Sequence, residues 1–390
     1  MTLHISSSIR CIGVNDAHAT LFESQYPLPH GMSYNSYLIL DEHTAITDTV
    51  DAHCVDQWLT QLEHELGGKK PEYLIVHHME PDHTAGIRTV MSLYPELVIV
   101  TSAIAGKMLS QFFGKDAFEG RVKTVREGDT LCLGSHTLQF FAAPMVHWPE
   151  VIVGYEQSEK VLFSADAFGK FGVADYPDNW TDEARRYYFN IVGKYGAQVT
   201  SLLNKLEQPQ INIIAPLHGP WLSSDLGRYV SLYRTWAAYQ PETKGVLVAY
   251  ASIYGGTAKG AQLMARTLME LGVQEIALMD LCVCSQSEAV AQAFRYSHMV
   301  VAAPTYDAGI YPAMHDFLYH LGIKGYCNRT VGVMENGSWA PTAGKQMTAM
   351  LNEMKNINIL GPLVSIRSTL SPETIESTKQ LATAICQSLS

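Results

Sequence analysis

The stretch His77-His78-Met79-Glu80-Pro81-Asp82-His83 directly follows a short apolar run, Tyr73–Val76, of the kind that forms a buried strand. Most of its residues carry an imidazole or a carboxylate, the side chains that bind metal ions in proteins. A loop at a strand end is held by a rigid sheet, and Pro81 favours the tight turn that brings such groups together. The stretch therefore predicts a metal site at the end of a strand.

Three further residues of the same chemical type each stand just past an apolar run. His147 follows LQFFAAPMV, Asp166 follows KVLFSA and His218 follows INIIAPL. A lone histidine at a strand end is usually an ordinary hydrogen-bonded residue, but this repeated pattern beside a dense cluster is hard to explain structurally. We therefore predict a two-metal site, which is formed by His78, Glu80, Asp82, His83, His147, Asp166 and His218.

His77 is excluded from this set. Side chains alternate between the two faces of a strand, so His77 points away from the face that carries His78. We expect it to be a structural residue.

The bulk properties place the chain among ordinary globular proteins. Its 390 residues are enough for two or three domains, with 47% hydrophobic and 17% charged residues. A net charge of −11 argues against a nucleic-acid partner. Because no long apolar run occurs, we expect no membrane span and no signal peptide. The seven cysteines are scattered, which argues against a disulfide framework and favours a cytoplasmic location.

The chain divides into two parts near the polar stretch Tyr239–Gly245, which reads as a linker. From Lys244 onward basic and acidic residues balance, so the negative net charge belongs to the first part. We predict one domain over residues 1–243 and a second over residues 244–390.

The first part has a mixed pattern of strands and helices. Apolar runs that predict strands cover residues 33–40, 73–78, 97–102, 138–144, 151–156, 160–166 and 211–216. Several lie close together in sequence, as in antiparallel meanders. Helices are predicted at Val55–Leu66 and Glu183–Leu206, so an α+β sandwich is expected.

The second part alternates regularly between strands and helices. Strands are predicted at residues 245–250, 275–281, 298–304, 329–334 and 359–366, with helices such as Ala258–Leu271 and Ser285–Tyr296 between them. This alternation predicts an α/β doubly wound domain with a five-stranded parallel sheet.

Polar loops follow three of these strands at the edge where open α/β sheets bind ligands. The first is a Gly-rich turn that opens a helix, whose backbone N–H groups and hydroxyls suit a phosphate monoester such as that of FMN. Trp339 is either a packing aromatic or a partner for the flavin ring. The predicted FMN-binding residues are Ser252, Ile253, Tyr254, Gly255, Gly256 and Thr257; Pro304, Thr305, Tyr306, Asp307, Ala308 and Gly309; and Asn336, Gly337, Ser338 and Trp339.

The metal motif resembles that of the metallo-β-lactamase superfamily, which usually reads H-x-H-x-D-H. Here Glu80 stands in place of the second histidine. A carboxylate in place of an imidazole favours iron over zinc, because it makes the site harder. The resemblance implies a metallo-β-lactamase-like αββα sandwich for the first domain.

Together the two parts resemble the flavodiiron proteins over essentially the whole chain. The segments that carry this likeness are PHGMSYNSYLI (29–39), HMEPDH (78–83), VHWPE (146–150), LFSADAFG (162–169) and PLHGP (216–220), with a flavodoxin-like loop at residues 252–257. The resemblance implies that His78, Glu80 and His147 ligate one iron, that Asp82, His83 and His218 ligate the other, and that Asp166 bridges them. His83 is the least secure ligand.

The same resemblance implies FMN, a diiron centre, and reduction of dioxygen to water or of nitric oxide to nitrous oxide. It further implies a head-to-tail homodimer, or a dimer of such dimers, and a separate electron donor such as rubredoxin or a reduced deazaflavin coenzyme. We expect Tyr26, His30 and Trp148 to donate hydrogen bonds or protons near the metals.

Two alternatives stay open at this point. The chain is either this oxidoreductase or a zinc-dependent hydrolase of the lactamase superfamily with an appended flavodoxin domain, and Glu80 argues against the hydrolase. A non-catalytic electron carrier with a purely structural first domain is the other alternative, and the full set of ligand residues argues against it.

Overall fold

A computed structural model describes residues 3–389 of the chain. The chain forms two compact units. The first comprises the residues up to Tyr188 together with Tyr195–Arg234, and the second comprises Phe189–Lys194 together with the residues from Thr235 onward. The domain boundary that we predict after residue 243 stays a prediction.

The first unit is built on two sheets. The seven-stranded sheet has the order β1-β2-β7-β8-β9-β10-β11, and the five-stranded sheet has the order β12-β13-β14-β15-β16. Two further two-stranded sheets pair β3 with β6 and β4 with β5. The strands are β1 (Leu3–His4), β2 (Ile9–Cys11), β3 (Val14–Asp16), β4 (Leu21–Phe22), β5 (Tyr26–Pro27), β6 (Met32–Tyr34), β7 (Tyr37–Ile39), β8 (Ala45–Thr47), β9 (Tyr73–Ile75), β10 (Val98–Ser102), β11 (Val122–Val125), β12 (Thr130–Cys132), β13 (Thr137–Ala142), β14 (Ile152–Glu156), β15 (Val161–Phe163) and β16 (Ile213–Ala215).

The two sheets pack face to face over one apolar core. Tyr37, Ile75 and Val100 from the larger sheet meet Phe140 and Phe163 from the smaller one, and all five are buried. Burial of large apolar side chains is the main favourable term in folding, at about 25 cal/mol per Å² removed from water. This packing confirms the predicted sandwich.

The helices associated with this unit are α1 (Val55–Leu66), α2 (Pro81–Thr84), α3 (Ile87–Leu93), α4 (Ala103–Phe113), α5 (Trp180–Tyr187), α6 (Gly196–Lys205) and α7 (Leu226–Ala237). The prediction for α1 is confirmed at both ends. It buries Trp58, Leu62 and Leu66 at helical spacing and stops at Gly67, whose φ of 55° is left-handed.

The continuous helix predicted over Glu183–Leu206 is wrong. After α5 the chain forms a π-helix at Tyr188–Val192 and a 3-10 turn at Gly193–Tyr195 before α6 begins. Gly193 and Gly196 weaken helix propensity there. Phe189–Lys194 also belongs to the second unit, where Phe189 stacks on Phe294 with 4.1 Å between ring centroids. Tertiary packing thus overrides local helix preference.

The second unit has five parallel strands in the order β18-β17-β19-β21-β22, with the short β20 paired antiparallel to β19. Its strands are β17 (Thr243–Tyr250), β18 (Ile276–Asp280), β19 (Tyr296–Tyr306), β20 (Gly309–Ile310), β21 (Arg329–Asn336) and β22 (Ile357–Ile366). Its helices are α8 (Gly256–Glu270), α9 (Gln286–Arg295), α10 (Pro312–Ile323), α11 (Ala343–Asn352) and α12 (Pro372–Leu389). This is the strand order of flavodoxin-like folds, and it confirms the predicted class.

Helices α8 and α12 pack together on the strands of this sheet. Met264 and Leu268 of α8 and Ile385 of α12 are buried against Val248 and Met334 of the sheet. Within the described residues, no helix combines the length and the apolar character needed to cross a membrane.

Candidate metal centre and flavin-binding edge

The predicted metal residues all lie in segments that follow strands of the two sheets in the first unit. His78 and Glu80 follow β9, while Asp82 and His83 lie in the single-turn helix α2, with Pro81 at its start. His147 lies between β13 and β14, Asp166 follows β15 and His218 follows β16. The structure brings all seven side chains together in two groups.

The first group contains His78, Glu80, His147 and Asp166, and all four are buried. Glu80 Oε2 lies 3.2 Å from Nε2 of His78 and 3.0 Å from Nε2 of His147. The two Nε2 atoms are 3.3 Å apart. Nitrogen and oxygen donors that face one another at these distances form a compact cation-binding set.

The second group contains Asp82, His83 and His218. Asp82 Oδ2 lies 3.5 Å from His83 Nε2 and 3.4 Å from His218 Nε2. His83 therefore points into the group together with the other two residues.

Asp166 stands between the two groups. Its Oδ2 lies 3.0 Å from His147 Nε2 and 3.6 Å from His78 Nε2, while its Oδ1 lies 3.2 Å from His83 Nε2 and 3.8 Å from His218 Nε2. Each carboxylate oxygen thus faces a different group, which is the arrangement that a bridging ligand requires.

Several side-chain oxygen and nitrogen atoms of the cluster are buried and have no hydrogen-bond partner among the described residues. They are both carboxylate oxygens of Asp82, both of Asp166, and Nε2 of His83 and of His218. Leaving one such group unsatisfied costs about 1–3 kcal/mol, and more when the group is charged. Bound cations would satisfy all of these atoms at once, so the residues fit a pair of metal ions.

Further side chains hold the cluster from outside. Glu150 Oε1 accepts from His78 Nδ1 at 2.7 Å and from the backbone N–H of Met79 at 2.9 Å. The backbone carbonyl of Ser33 lies 2.8 Å from His218 Nδ1. His77 instead contacts Asp48, with 2.6 Å between its Nδ1 and Oδ2, and lies outside both groups.

The charges of the cluster shift its pKa values strongly. Burial alone would lower the pKa of His78, but Asp166, Glu150 and Glu80 hold it well above its ordinary value. Burial would raise the pKa of Asp166, yet His78 and the other histidines hold it well below its usual range. Burial lowers the pKa of His218 to about 4, and the charge of His83 acts in the same direction. His218 is therefore neutral at pH 7, the form that binds a metal.

Three residues near the cluster escape prediction from the sequence. Glu150 ends the quoted segment VHWPE, but nothing in that segment points to its contact with His78. Tyr187 is fully buried with its hydroxyl unpartnered among the described residues, and its ring lies 5.4 Å from that of His218. Glu23 shares with Glu80 and Asp82 the lining of a cavity of about 950 Å³. Burial, and then repulsion from Glu80, raises the pKa of Glu23.

The three predicted hydrogen-bond or proton donors are placed differently from one another. The Trp148 ring lies 5.1 Å from that of His78 and 6.1 Å from that of His147. Tyr26 packs on Phe171, and His30 stacks on Tyr176 with 3.7 Å between ring centroids. Proton donation by any of them stays a prediction.

In the second unit the Gly-rich turn lies between β17 and α8, as expected. Ser252 Oγ accepts from the N–H of Gly255 at 3.1 Å, and Gly255 has a φ of 86°, which favours glycine. A Cβ at Gly256 would meet the carbonyl oxygen of Ser368 at 2.3 Å and Asn336 Nδ2 at 2.9 Å. The turn therefore lies directly against the end of β21 and the segment that follows β22.

The other two predicted segments lie at the same edge, although residues 304–306 and Asn336 form the ends of β19 and β21 rather than loops. Thr305 Oγ1 accepts from the N–H groups of Thr342 and Ala343 at 2.9 and 3.1 Å. Asn336 Oδ1 accepts from the N–H of Ser368 at 3.0 Å. Ser368, after β22, is a member of this edge that the sequence did not indicate.

Large aromatic side chains stand in solvent at this edge. Tyr254 is 99% exposed and Trp339 is 89% exposed, with Tyr306 at 47%. Exposed aromatic residues around a polar, glycine-lined turn are unusual without a ligand or partner. The edge therefore fits a flat aromatic ligand with a phosphate.

Comparison with known proteins agrees with this description. A family model described as "ODP family beta lactamase" matches residues 32–219. The rubredoxin-oxygen oxidoreductase of Megalodesulfovibrio gigas is 28% identical over 99% of this chain and 97% of that protein. A nitric oxide reductase of Moorella thermoacetica is 29% identical over 80% of each chain. A putative diflavin flavoprotein of Thermosynechococcus vestitus is longer, and the chain spans 63% of it at 28% identity.

Similarity to a solved structure covers both units. The structure of rubredoxin oxygen:oxidoreductase from Desulfovibrio gigas matches with a TM-score of 0.93 and 26% identity, over 100% of this chain and 98% of that one. The family model covers the metal-bearing segments, and the structural match adds the flavodoxin-like unit that follows them. Because both units recur in one chain and in the same order, this chain has the two-unit fold of the flavodiiron proteins.

Proposed function

We propose that this protein is an oxidoreductase that reduces dioxygen to water, or nitric oxide to nitrous oxide, at a non-haem diiron centre supplied with electrons through FMN. The observation that carries the proposal is the buried seven-residue cluster, in which atoms of Asp82, His83, Asp166 and His218 have no hydrogen-bond partner within the described residues. Relatives named rubredoxin-oxygen oxidoreductase and nitric oxide reductase support the choice of reaction.

In this proposal His78, Glu80 and His147 hold one iron, and Asp82, His83 and His218 hold the other. Asp166 bridges them, supported by its two oxygens facing different groups. Three carboxylates among seven ligands favour iron over zinc, because hard oxygen donors suit iron better. His83 is included because its Nε2 faces Asp82 and Asp166.

FMN is assigned to the edge formed by residues 252–257, 304–309 and 336–339, with Ser368 added from the structure. The backbone N–H groups at the start of α8 suit the phosphate, and Trp339 and Tyr254 suit the ring. When bound, FMN supplies electrons and the diiron pair supplies the positions at which the gas binds.

The chain's own residues position the bound gas, exclude water from the cluster and provide protons. Reduction of dioxygen to two waters takes four electrons and four protons, and coupling of two nitric oxides to nitrous oxide and one water takes two of each. Tyr187 is placed to donate a hydrogen bond inside the buried cluster, and Phe22 keeps water away with its ring 5.4 Å from that of His218. Trp148, Tyr26 and His30 remain further candidates for this donor role.

The electrons come from a separate protein or coenzyme in this proposal, such as rubredoxin or a reduced deazaflavin. We further propose a head-to-tail homodimer, in which the flavin of one subunit serves the irons of its partner, and a cytoplasmic location. Twofold dimers are the commonest oligomers, which supports this choice.

The test is anaerobic purification with iron, zinc and flavin measured per chain, followed by dioxygen and nitric oxide consumption by one reduced preparation. The proposal expects about two irons and one FMN per chain and consumption of at least one gas. Zinc in the cluster together with hydrolysis of a thioester or lactam would instead support the hydrolase. Bound FMN without gas consumption would support the electron carrier.

A further inference from the structure

The first group of the cluster (His78, Glu80, His147) and the second group (Asp82, His83, His218) are its two halves. They differ in the residues that contact the histidine Nδ1 atoms, which point away from the cluster. In the first half, His78 Nδ1 contacts a carboxylate, Glu150, at 2.7 Å. In the second half, His218 Nδ1 contacts a neutral peptide carbonyl, that of Ser33, at 2.8 Å. Nδ1 of His83 is buried and has no hydrogen-bond partner within residues 3–389.

These outer contacts fix the tautomers of two histidines. A carbonyl oxygen and an ionised carboxylate can only accept, so Nδ1 of His78 and of His218 must carry the hydrogen. Nε2 of each neutral ring then presents its lone pair to the cluster. The ring of His83 has no such contact to fix its tautomer or its rotation.

The strength of the outer contact also matters. A carboxylate behind an imidazole makes the ring a better electron donor to a metal than a neutral carbonyl does. The Glu150 side chain is fully buried, and Met79 N–H fixes the same oxygen at 2.9 Å. Glu150 is therefore rigid and poorly screened by water.

We propose that the two metal positions have unequal affinity, that the one formed by His78, Glu80 and His147 is the tighter, and that Glu150 sets this difference as a positioning residue. This inference rests on the proposed function only in that the cluster must bind two metals. Loss of an outer contact of this kind typically weakens metal binding by about 10–100-fold.

The experiment uses the full-length, flavin-loaded protein reduced and loaded anaerobically with Fe²⁺. Samples are dialysed against increasing EDTA, and retained iron per chain is measured. The wild type should lose its irons in two steps. In Glu150→Gln the more resistant iron should leave at about 10–100-fold lower free chelator, with the first step unchanged.

Glu156→Gln is the matched control, because Glu156 is equally buried but, among the described residues, its carboxylate accepts from the backbone N–H groups of Ser158 and Glu159 and not from a histidine of the cluster. This control should leave both steps in place. His218→Ala should keep only the resistant iron, and His147→Ala only the labile one. Thermal melting of each metal-free variant checks that it is folded.

If the wild type lost both irons at the same EDTA concentration, the inference would be overturned and the proposed function would stay intact. A Glu150→Gln variant in which both steps move equally, or ligand variants with the reverse pattern, would have the same consequence. Failure of the wild type to retain any iron would overturn the proposed function as well.

Discussion

Asp166 is the residue that we propose to pair the two metal positions. Each of its oxygens lies 3.0–3.2 Å from a histidine of a different group. Asp166→Asn keeps the shape but removes the charge that holds both positions together. We expect iron to fall from about two per chain to one or fewer, with FMN content unchanged.

Asp41→Asn is a suitable control for that change. Asp41 is a partly exposed carboxylate of the same unit, and its contacts run to His136 rather than to the cluster. It should lower stability without lowering iron content. Two irons per chain in Asp166→Asn would contradict the bridging assignment.

The Tyr187 hydroxyl is buried beside the cluster, and the negative charges of Asp166, Glu80 and Asp82 add to burial in raising its pKa. An unpartnered buried hydroxyl costs about 1–3 kcal/mol, so Tyr187→Phe should leave the free energy of unfolding equal or higher. The turnover rate should fall about 10- to 100-fold if the hydroxyl donates to the bound gas or its products.

Tyr155→Phe provides the opposite pattern as a control. The Tyr155 hydroxyl donates to the carbonyl of Gln210 at 2.7 Å, away from the cluster. Its loss should cost about 1 kcal/mol of stability and leave turnover unchanged. Wild-type turnover in Tyr187→Phe would remove Tyr187 from the reaction.

The turn that opens α8 is the element whose geometry should decide flavin binding. A methyl group at Gly256 would meet the backbone carbonyl oxygen of Ser368 at 2.3 Å and the side-chain Nδ2 of Asn336 at 2.9 Å, so the backbone after β22 would have to shift. We therefore expect Gly256→Ala to lower FMN content by about 10-fold or more, with iron per chain unchanged. Flavin fluorescence after denaturation measures the loss.

Gly322→Ala is the matched change in the same unit. It lies within α10, and its new methyl group would have only Met354 nearby, at 3.8 Å. Alanine favours helix over glycine by about 1 kcal/mol, so stability should rise slightly and FMN should stay bound. Full FMN content in Gly256→Ala would count against this turn as the phosphate site.

The contact between the turn preceding β13 and the loop after β7 should make stability depend on pH. Burial alone would lower the pKa of His136, but hydrogen bonds to Asp41 and Glu159 raise it. Because the pKa of His136 is raised in the folded state, its protonated ring stabilises the fold fully at pH values below the unfolded-state pKa of about 6.5. This stabilisation is lost as the pH rises through the folded-state pKa. His136→Gln should therefore lower the urea midpoint more at pH 6 than at pH 9.

Each structural element was predictable to the degree that its own residues determine it. The apolar spacing of α1 and its terminal Gly67 are local signals, and the prediction matched both ends of the helix. The break after α5 depends on Phe189 stacking on Phe294, a residue far along the chain, so no local pattern revealed it. Glu150 and Ser368 escaped for the same reason, because their roles arise from partners that only the fold brings near.

At the scale of the whole chain, alternation of strands and helices predicted the second unit, and the ligand spacing predicted the metal cluster. Neither pattern indicates how two copies of the chain combine. The homodimer therefore rests on family resemblance, and it calls for a test in which one subunit must supply what the other lacks.

Mixing a flavin-deficient variant, Gly256→Ala, with a metal-deficient one, Asp166→Asn, provides that test. After subunit exchange about half of the dimers contain both variants, and in each of these one flavin faces one intact iron pair, so about a quarter of wild-type activity should return. A mixture of two metal-deficient variants, Asp166→Asn and His147→Ala, should recover none. If native mass spectrometry shows mixed dimers and the first mixture stays inactive, electrons do not pass between subunits, and each chain must serve its own irons.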